Sequence, residues 1–279
     1  MKNILVPCDF SPVATEAFKF ALDLAHQDRG QITVLFAIDL PVFVGGFDLQ
    51  PYLYDPSLAN DLKVWATARF NELLKLNSLR IPVNLQTTQA TVLQAVRQAV
   101  KSNRSDLVVM GTQGAHGANE VLFGSNTEKI VRFSPVPVFS IRQSIPLSAI
   151  NKIVFPTDMA TIHPSLISEL KKLQDFFDAS LDILWINTPV NFRTDKEIEK
   201  NLAKLAADHS LKNYSVCISN SLDAEGGIIG YTRKVQADVI AMATHGRRGL
   251  AHIFDGSLTE DVVNHANLPV WTYSLHGKE

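Results

Sequence analysis

Residues 110–132, MGTQGAHGANEVLFGSNTEKIVR, and residues 242–264, MATHGRRGLAHIFDGSLTEDVVN, are versions of one stretch. Aligned, they agree at Met, Thr, three glycines, Ser, Thr, Glu and Val. A repeat of this length means that the chain builds one supersecondary unit twice. The repeat extends outwards. KNILVPCDFSP at 2–12 returns as NKIVFPTDMAT at 151–161, with Asp9 answering to Asp158, 149 positions on. SPVPVFSIR at 134–142 returns as ANLPVWTYS at 266–274, with Pro137 answering to Pro269, 132 positions on. The second copy is therefore 17 residues shorter between its first strand and its glycine segment. The surplus falls at 40–56, LPVFVGGFDLQPYLYDP, which has no counterpart.

Within each copy, short apolar runs alternate with helix-period stretches. NILVP reads as a strand, and the amphipathic PVATEAFKFALDLAHQ as a helix with Ser11 as its N-cap. ITVLFAID, VNLQTT, DLVVMGT and PVFSI read as further strands, with helices over SLANDLKVWATARFNELLKL, TVLQAVRQAVKSN and SNTEKIVRF between them. KIVFPT, LDILWIN, YSVCIS, DVIAMAT and PVWTYS repeat the order. Strands apolar on both sides belong to parallel sheets covered by helices on both faces. The expected fold is α/β: two doubly wound, Rossmann-like five-stranded parallel-sheet domains in tandem, 1–145 and 146–279.

Composition narrows the function. A formal net charge of −2 and a pI near 6.4 give no electrostatic footprint for nucleic acid or anionic lipid. No apolar run reaches the roughly 18 residues of a membrane span, and the N-terminus lacks a signal-peptide core. Cys8 and Cys217 lie far apart and form no CxxC motif, so they read as reduced thiols. The expected location is cytoplasmic.

In an open parallel sheet a ligand settles beyond the carboxyl ends of the strands, where strand order reverses. Two loops carry chemistry there. One follows the first strand and holds Asp9. The other follows the fourth and holds Gly111, Gly114, Gly124 and Ser125; with strand order 3-2-1-4-5 the two share one crevice. Glycine permits positive φ and close approach of a ligand to backbone N–H groups. The Gly124-Ser125 pair opens a helix, where free N–H groups and the helix dipole favour an anion such as phosphate. Asp9 suits sugar hydroxyls or an amino group. The same residues also read structurally: glycines after a strand as turn residues, Asp9 as a cap, and Ser125 with Glu128, like Ser257 with Glu260, as a capping box.

With these residues in view, the chain resembles a tandem universal stress protein. The nucleotide-binding members of that family carry G-x2-G-x9-G-[S/T]. Gly111, Gly114, Gly124 and Ser125 match it in full; the second copy has Ala243 at the first position and matches at Gly246, Gly256 and Ser257. The resemblance covers nearly the whole chain. It implies the strand order 3-2-1-4-5 and ATP or a related adenine nucleotide, with or without Mg2+, between the loops after strands one and four. Carried over, Asp9 would meet the adenine or ribose, and Gly111, Gly114, Gly124 and Ser125, with Asn126, would cradle ribose and phosphates. Asp158, Gly246, Gly256 and Ser257 are the equivalents. The family also dimerises through its fifth strand, so PVFSI and PVWTY would pair the halves as an intramolecular pseudo-dimer. A homodimer of whole chains stays open, as does an unknown protein partner.

No strong reactive constellation accompanies these loops. The sequence has no Walker A P-loop, no G-x-G-x-x-G after the first strand, no G-x-S-x-G elbow, and no histidine pair at metal-ligand spacing. At most slow ATP hydrolysis is expected, without a general base or arginine finger. Two readings stand: a nucleotide-binding regulatory stress-response protein, and a scaffold of the same fold whose glycine loops are only turns. Arg247 and Arg248 read as phosphate neutralisers or as solvated charges, and the aromatic 40–56 segment as a lid, a docking surface or a packed loop.

Overall fold

The structure, a computed structural model, describes residues 1–39, 56–112, 125–159, 162–244 and 256–275, with backbone alone at 56, 125, 256 and 257. Gly114, Gly124, Gly246, Arg247, Arg248 and the 40–55 part of the aromatic segment lie outside the described residues. The first half contains β1 (Asn3–Pro7), α1 (Pro12–Asp28), β2 (Gln31–Ala37), α2 (Pro56–Leu74), β3 (Val83–Thr88), α3 (Val92–Asn103), β4 (Leu107–Gly111), α4 (Ser125–Phe133) and β5 (Val138–Ile141). A 3-10 turn, Leu147–Ala149, leads to the second half. It contains β6 (Lys152–Pro156), α5 (Pro164–Phe177), β7 (Ser180–Asn187), α6 (Asp195–Asp208), β8 (Tyr214–Asn220), α7 (Ala224–Lys234), β9 (Val239–Thr244), α8 (Gly256–His265) and β10 (Val270–Ser274).

These strands form one sheet in the order β3-β2-β1-β4-β5-β10-β9-β6-β7-β8, the order 3-2-1-4-5 followed by its mirror. Pairing within each half is parallel, for example Ile4 with Leu107 and Ile153 with Val239. The apolar runs are explained by which face each residue serves. Ile4, Val6, Leu107 and Val109 bury under α1 and α2, whereas Leu5, Val108 and Met110 bury under α3 and α4. The second half repeats this, with α5 and α6 on the first face and α7 and α8 on the other.

Helix starts follow local chemistry. Ser11 Oγ accepts the Ala14 N–H at 3.3 Å, and Thr91 Oγ1 accepts that of Gln94 at 3.5 Å. α1 and α5 both end on a left-handed residue, Arg29 (φ 51°) and Asp178 (φ 50°). Measured back from those shared ends, α1 has 17 residues and α5 has 14, so α5 lacks the first turn.

β5 and β10 join the halves as the antiparallel pair, with Phe139 opposite Trp271 and Val138 opposite Thr272. Side chains cross the seam above and below it. Thr244 Oγ1 donates to the Val131 carbonyl at 3.2 Å, Ser274 Oγ to that of Arg132 at 2.6 Å, and Arg132 meets Glu260 at 2.7 Å. On the opposite face Gln27 donates to the Phe176 carbonyl at 2.8 Å. Glu260 thus spends its carboxylate on a guanidinium of the other half. α4 and α8 begin at Ser125 and Gly256, so both serines fall inside the first turn and not one residue before it, as a capping box requires. Among the described residues, no helix is long and apolar enough to cross a membrane.

Candidate functional site

Strand order reverses between β1 and β4, and again between β6 and β9. Asp9 lies two residues past β1 and Asp158 two past β6, each at the carboxyl end of its strand. Asp9 is exposed, and its Oδ1 accepts the Ser11 N–H at 3.0 Å. That bond closes a local Asx-type turn on one oxygen of an exposed carboxylate. The next residues, Phe10 and Met159, both sit at φ 61°, a conformation that bulky side chains rarely adopt. The strained backbone of this crevice is therefore carried by side-chain residues directly after the aspartates, in both halves alike.

Gly111 ends β4, and its φ lies outside the left-handed region. Its glycine is demanded by packing: a Cβ there would lie 2.5 Å from the Val13 carbonyl carbon and 2.7 Å from the Ala14 nitrogen, both in the first turn of α1. The second copy tolerates Ala243 because the positions matching Val13 and Ala14 are Ile162 and His163, which precede α5. An alanine where the family pattern has glycine is thus explained by one missing helical turn.

Beyond β4, Asn126 is exposed in the first turn of α4, and Thr127 behind it is buried. In the second half the matching Thr259 Oγ1 donates to the Ala243 carbonyl at 3.2 Å, tying the start of α8 to the end of β9. The structure thus brings Asp9 and Gly111 to neighbouring strand ends, with α4 opening after the loop that follows Gly111. It does the same with Asp158, Ala243 and α8. Ser125, Gly256 and Ser257 occupy helix starts, and their side chains lie outside the described residues.

Sequence reasoning missed the wall beside Asp9. Phe10, Phe36 near the end of β2, and Trp65 of α2 form an aromatic trio with ring centroids 5.6–5.7 Å apart. Trp65 remains 41% exposed even with the Arg69 guanidinium 5.7 Å from its ring. The second half differs here. Trp185, the counterpart of Phe36, is buried beneath the Arg193 guanidinium, 5.0 Å from its ring. Arg193 is fixed by reciprocal bonds with Asn187, at 2.9 and 3.1 Å. Aromatic residues 26 and 29 positions apart, one of them on a half-exposed helix, give no sequence signal of convergence. Cys8, between Pro7 and Asp9, is buried, which pushes its thiol up to about 12, so it stays protonated at neutral pH.

The residues present fit a nucleoside phosphate. An exposed carboxylate suits hydroxyls, a cluster of mutually tilted aromatic rings offers a base an apolar surface, and a helix start suits an anion.

A model of the universal stress protein family matches residues 1–142 and 178–274. A universal stress protein of Synechocystis sp. is 24% identical over 98% of this chain and 100% of its own length. One from Thermus aquaticus is 35% identical across 50% of this chain and 98% of its own. Among solved structures, a universal stress protein of Archaeoglobus fulgidus superposes with a TM-score of 0.75 at 17% identity, covering 98% of both chains.

Proposed function

The chain belongs to the universal stress protein family, and from that premise we propose that it is an adenine-nucleotide-binding regulatory protein whose main pocket is the β1–β4 crevice of the first half. The observation that carries this reading is the pairing, at that crevice, of an exposed carboxylate with an aromatic cluster: Asp9 beside Phe10, Phe36 and Trp65. ATP is the ligand proposed, with its base towards the aromatic cluster, its ribose towards Asp9 and its phosphates towards the 111–126 segment; Mg2+ would accompany the phosphates. In the second half the corresponding aromatic is closed off by Arg193. The Asp158 crevice is accordingly the weaker site. Occupancy would change the surface offered to a protein partner in a stress response, and the halves divide near residue 145.

One observation favours a second reading, a scaffold without nucleotide. Gly111 and Asp9 both have structural employment, the first under α1 and the second in the turn to Ser11.

The test is to purify the chain without added nucleotide, denature it, and separate the supernatant by ion-pair chromatography with mass detection. Calorimetry with ATP follows, and cAMP, the ligand of one solved universal stress protein, is offered alongside. About one equivalent of adenine nucleotide, lost in Gly124→Val, supports the first-half pocket. An empty supernatant together with no heat at millimolar ATP leaves the scaffold.

A further inference from the structure

A cavity of about 440 Å³ opens on the α1/α5 face of the sheet, against the seam between the halves. Its walls come from the start of β4 and the residue before it (Leu107, Asp106), the turn before β5 (Val136), one side of α5 (Glu169, Lys172, Phe176), and Trp271 and Tyr273 of β10. Among the described residues, none that follows β1, β4, β6 or β9 lines it, and its walls at β4 and β5 stand at the amino ends of those strands, away from the Asp9 crevice. Its size is that of a small-molecule pocket.

The duplication supplies a control for why it is open. Measured from the shared C-caps, Glu169 stands where α1 has Phe20, Lys172 where it has Asp23, and Phe176 where it has Gln27. Across the pseudo-twofold, Phe20 is fully buried and meets the ring of Phe139 edge-on at 5.3 Å. In the second half a carboxylate replaces that plug, while Phe139 and Ile141 become Trp271 and Tyr273, stacked 6.2 Å apart. A packed aromatic contact has been exchanged for an aromatic-floored cavity with charges on its rim.

Met1 also lines the cavity, and its α-ammonium is paired with Asp28, so the remaining charges, those of Glu169, Asp106 and Lys172, leave an excess of one carboxylate. Lys172 Nζ is bound to Glu169 Oε1 at 2.7 Å and also feels Tyr273 and Asp106, which together hold it above the usual ammonium range. Asp106 Oδ2 accepts the N–H groups of Lys2 and Asn3, at 2.8 and 3.3 Å. Two carboxylates thus act on the space where one ammonium sits, and that ammonium is the end of a flexible, 66% exposed side chain. A ligand can displace it without dismantling the fold. Pro135, Val136 and Phe176 add apolar surface, with Leu107 and Trp271 buried behind them.

We propose that this inter-half cavity is a second ligand site, for a small organic ammonium ion with an aromatic or apolar body: the cation takes the place of the Lys172 ammonium between Glu169 and Asp106, and the body lies against Phe176, Pro135 and Val136. This site does not depend on nucleotide binding at Asp9.

The probe is 2-phenylethylamine, titrated by calorimetry into the full chain, with 2-phenylethanol and 3-phenylpropanoate as the neutral and anionic controls. Saturable heat with the amine alone is expected. Glu169→Phe, which restores the plug found in the first half, abolishes that heat and leaves the ATP response unchanged. Lys172→Met removes the competing ammonium and tightens the amine about tenfold, as expected for a freed charge-assisted bond. This variant decides the matter if Glu169→Phe does not fold. No heat with the amine, equal binding of the alcohol, or no gain in Lys172→Met would overturn the proposal.

Discussion

The two halves share a sheet order and diverge on one helix. α1 reaches a full turn further than α5, and the consequences run through the molecule. Where the extra turn exists, its backbone presses on the end of β4 and only glycine fits at 111. Where it is absent, Ala243 fits, and a histidine, His163, caps the helix by accepting the Ser165 N–H at 3.2 Å. Further along the same helices, Phe20 plugs the first half and Glu169 opens the second. A duplicated motif is thus poor evidence of a duplicated site. Loop pattern and strand ends were retained, while the surroundings that decide what those loops can hold were changed.

The largest effect should come from testing the missing turn. Gly111→Ala places a methyl within 2.7 Å of backbone that cannot swing aside, and should cost about 3 kcal/mol by urea denaturation. The reverse change in the other half, Ala243→Gly, meets no such crowding and should cost only about 0.5–1 kcal/mol through backbone entropy. Equal costs would mean that helix length does not explain the altered glycine pattern.

The crevices are compared next. Removing a carboxylate that accepts a ligand hydroxyl costs on the order of 1.5–3 kcal/mol, about tenfold or more in affinity. Asp9→Ala should weaken ATP binding by that amount in calorimetry, while Asp158→Ala should leave the tighter phase unchanged. A larger loss at Asp158 would reverse the assignment of the working pocket.

Across the seam, Arg132 and Glu260 join α4 to α8, both largely shielded from solvent. Burial raises the Glu260 carboxyl above its ordinary range, with Arg132 pulling the other way. Arg132→Leu leaves a shielded carboxylate without its cation, at a cost of about 2 kcal/mol near neutral pH. Without Arg132 the folded carboxyl titrates higher still. The penalty should therefore fade as pH drops through that raised value and the group protonates, and grow again as pH rises. A pH-independent penalty would show that lost packing, not charge, is the cause.

Much of the frame was legible from residues alone. Apolar runs named the strands, and Ser11 announced its helix because a hydroxyl before an amphipathic stretch has a local partner to satisfy; Thr91, read as the first residue of its helix, proved to be its cap. The antiparallel β5–β10 join was not in any pattern of residues and came through family resemblance. What stayed hidden shares one cause, contact at long range in sequence. Gly111 was read as a turn or ligand glycine, when its constraint comes from Val13, 98 positions earlier. Glu260 was read as a cap because position suggests a cap, but Arg132 lies on a helix of the other half. Phe10 and Met159 adopt positive φ with side chains that give no hint of it, because surrounding packing overrides residue preference.

The smallest effect tests whether the halves also differ in how they are tied to the segment between them. Glu16 of α1 bonds Lys19 at 2.6 Å and accepts the Ser144 N–H at 3.0 Å; the matching residue of α5 is Ser165, which carries no charge. The Lys19 ammonium, and after it the Ser144 N–H, hold the Glu16 carboxyl below its ordinary value near 4.5. A depressed acid stabilises the fold above its unfolded-state value, and the gain is lost as pH falls through the lower folded one. Glu16→Gln should therefore cost about 0.5 kcal/mol at neutral pH, the scale of a partly exposed pair, and converge on the parent chain in acid. Ser165→Ala should show no such convergence. If Glu16→Gln costs the same at every pH, its amide has replaced the bonds that mattered, and the tie between α1 and residue 144 is one of hydrogen bonding without charge.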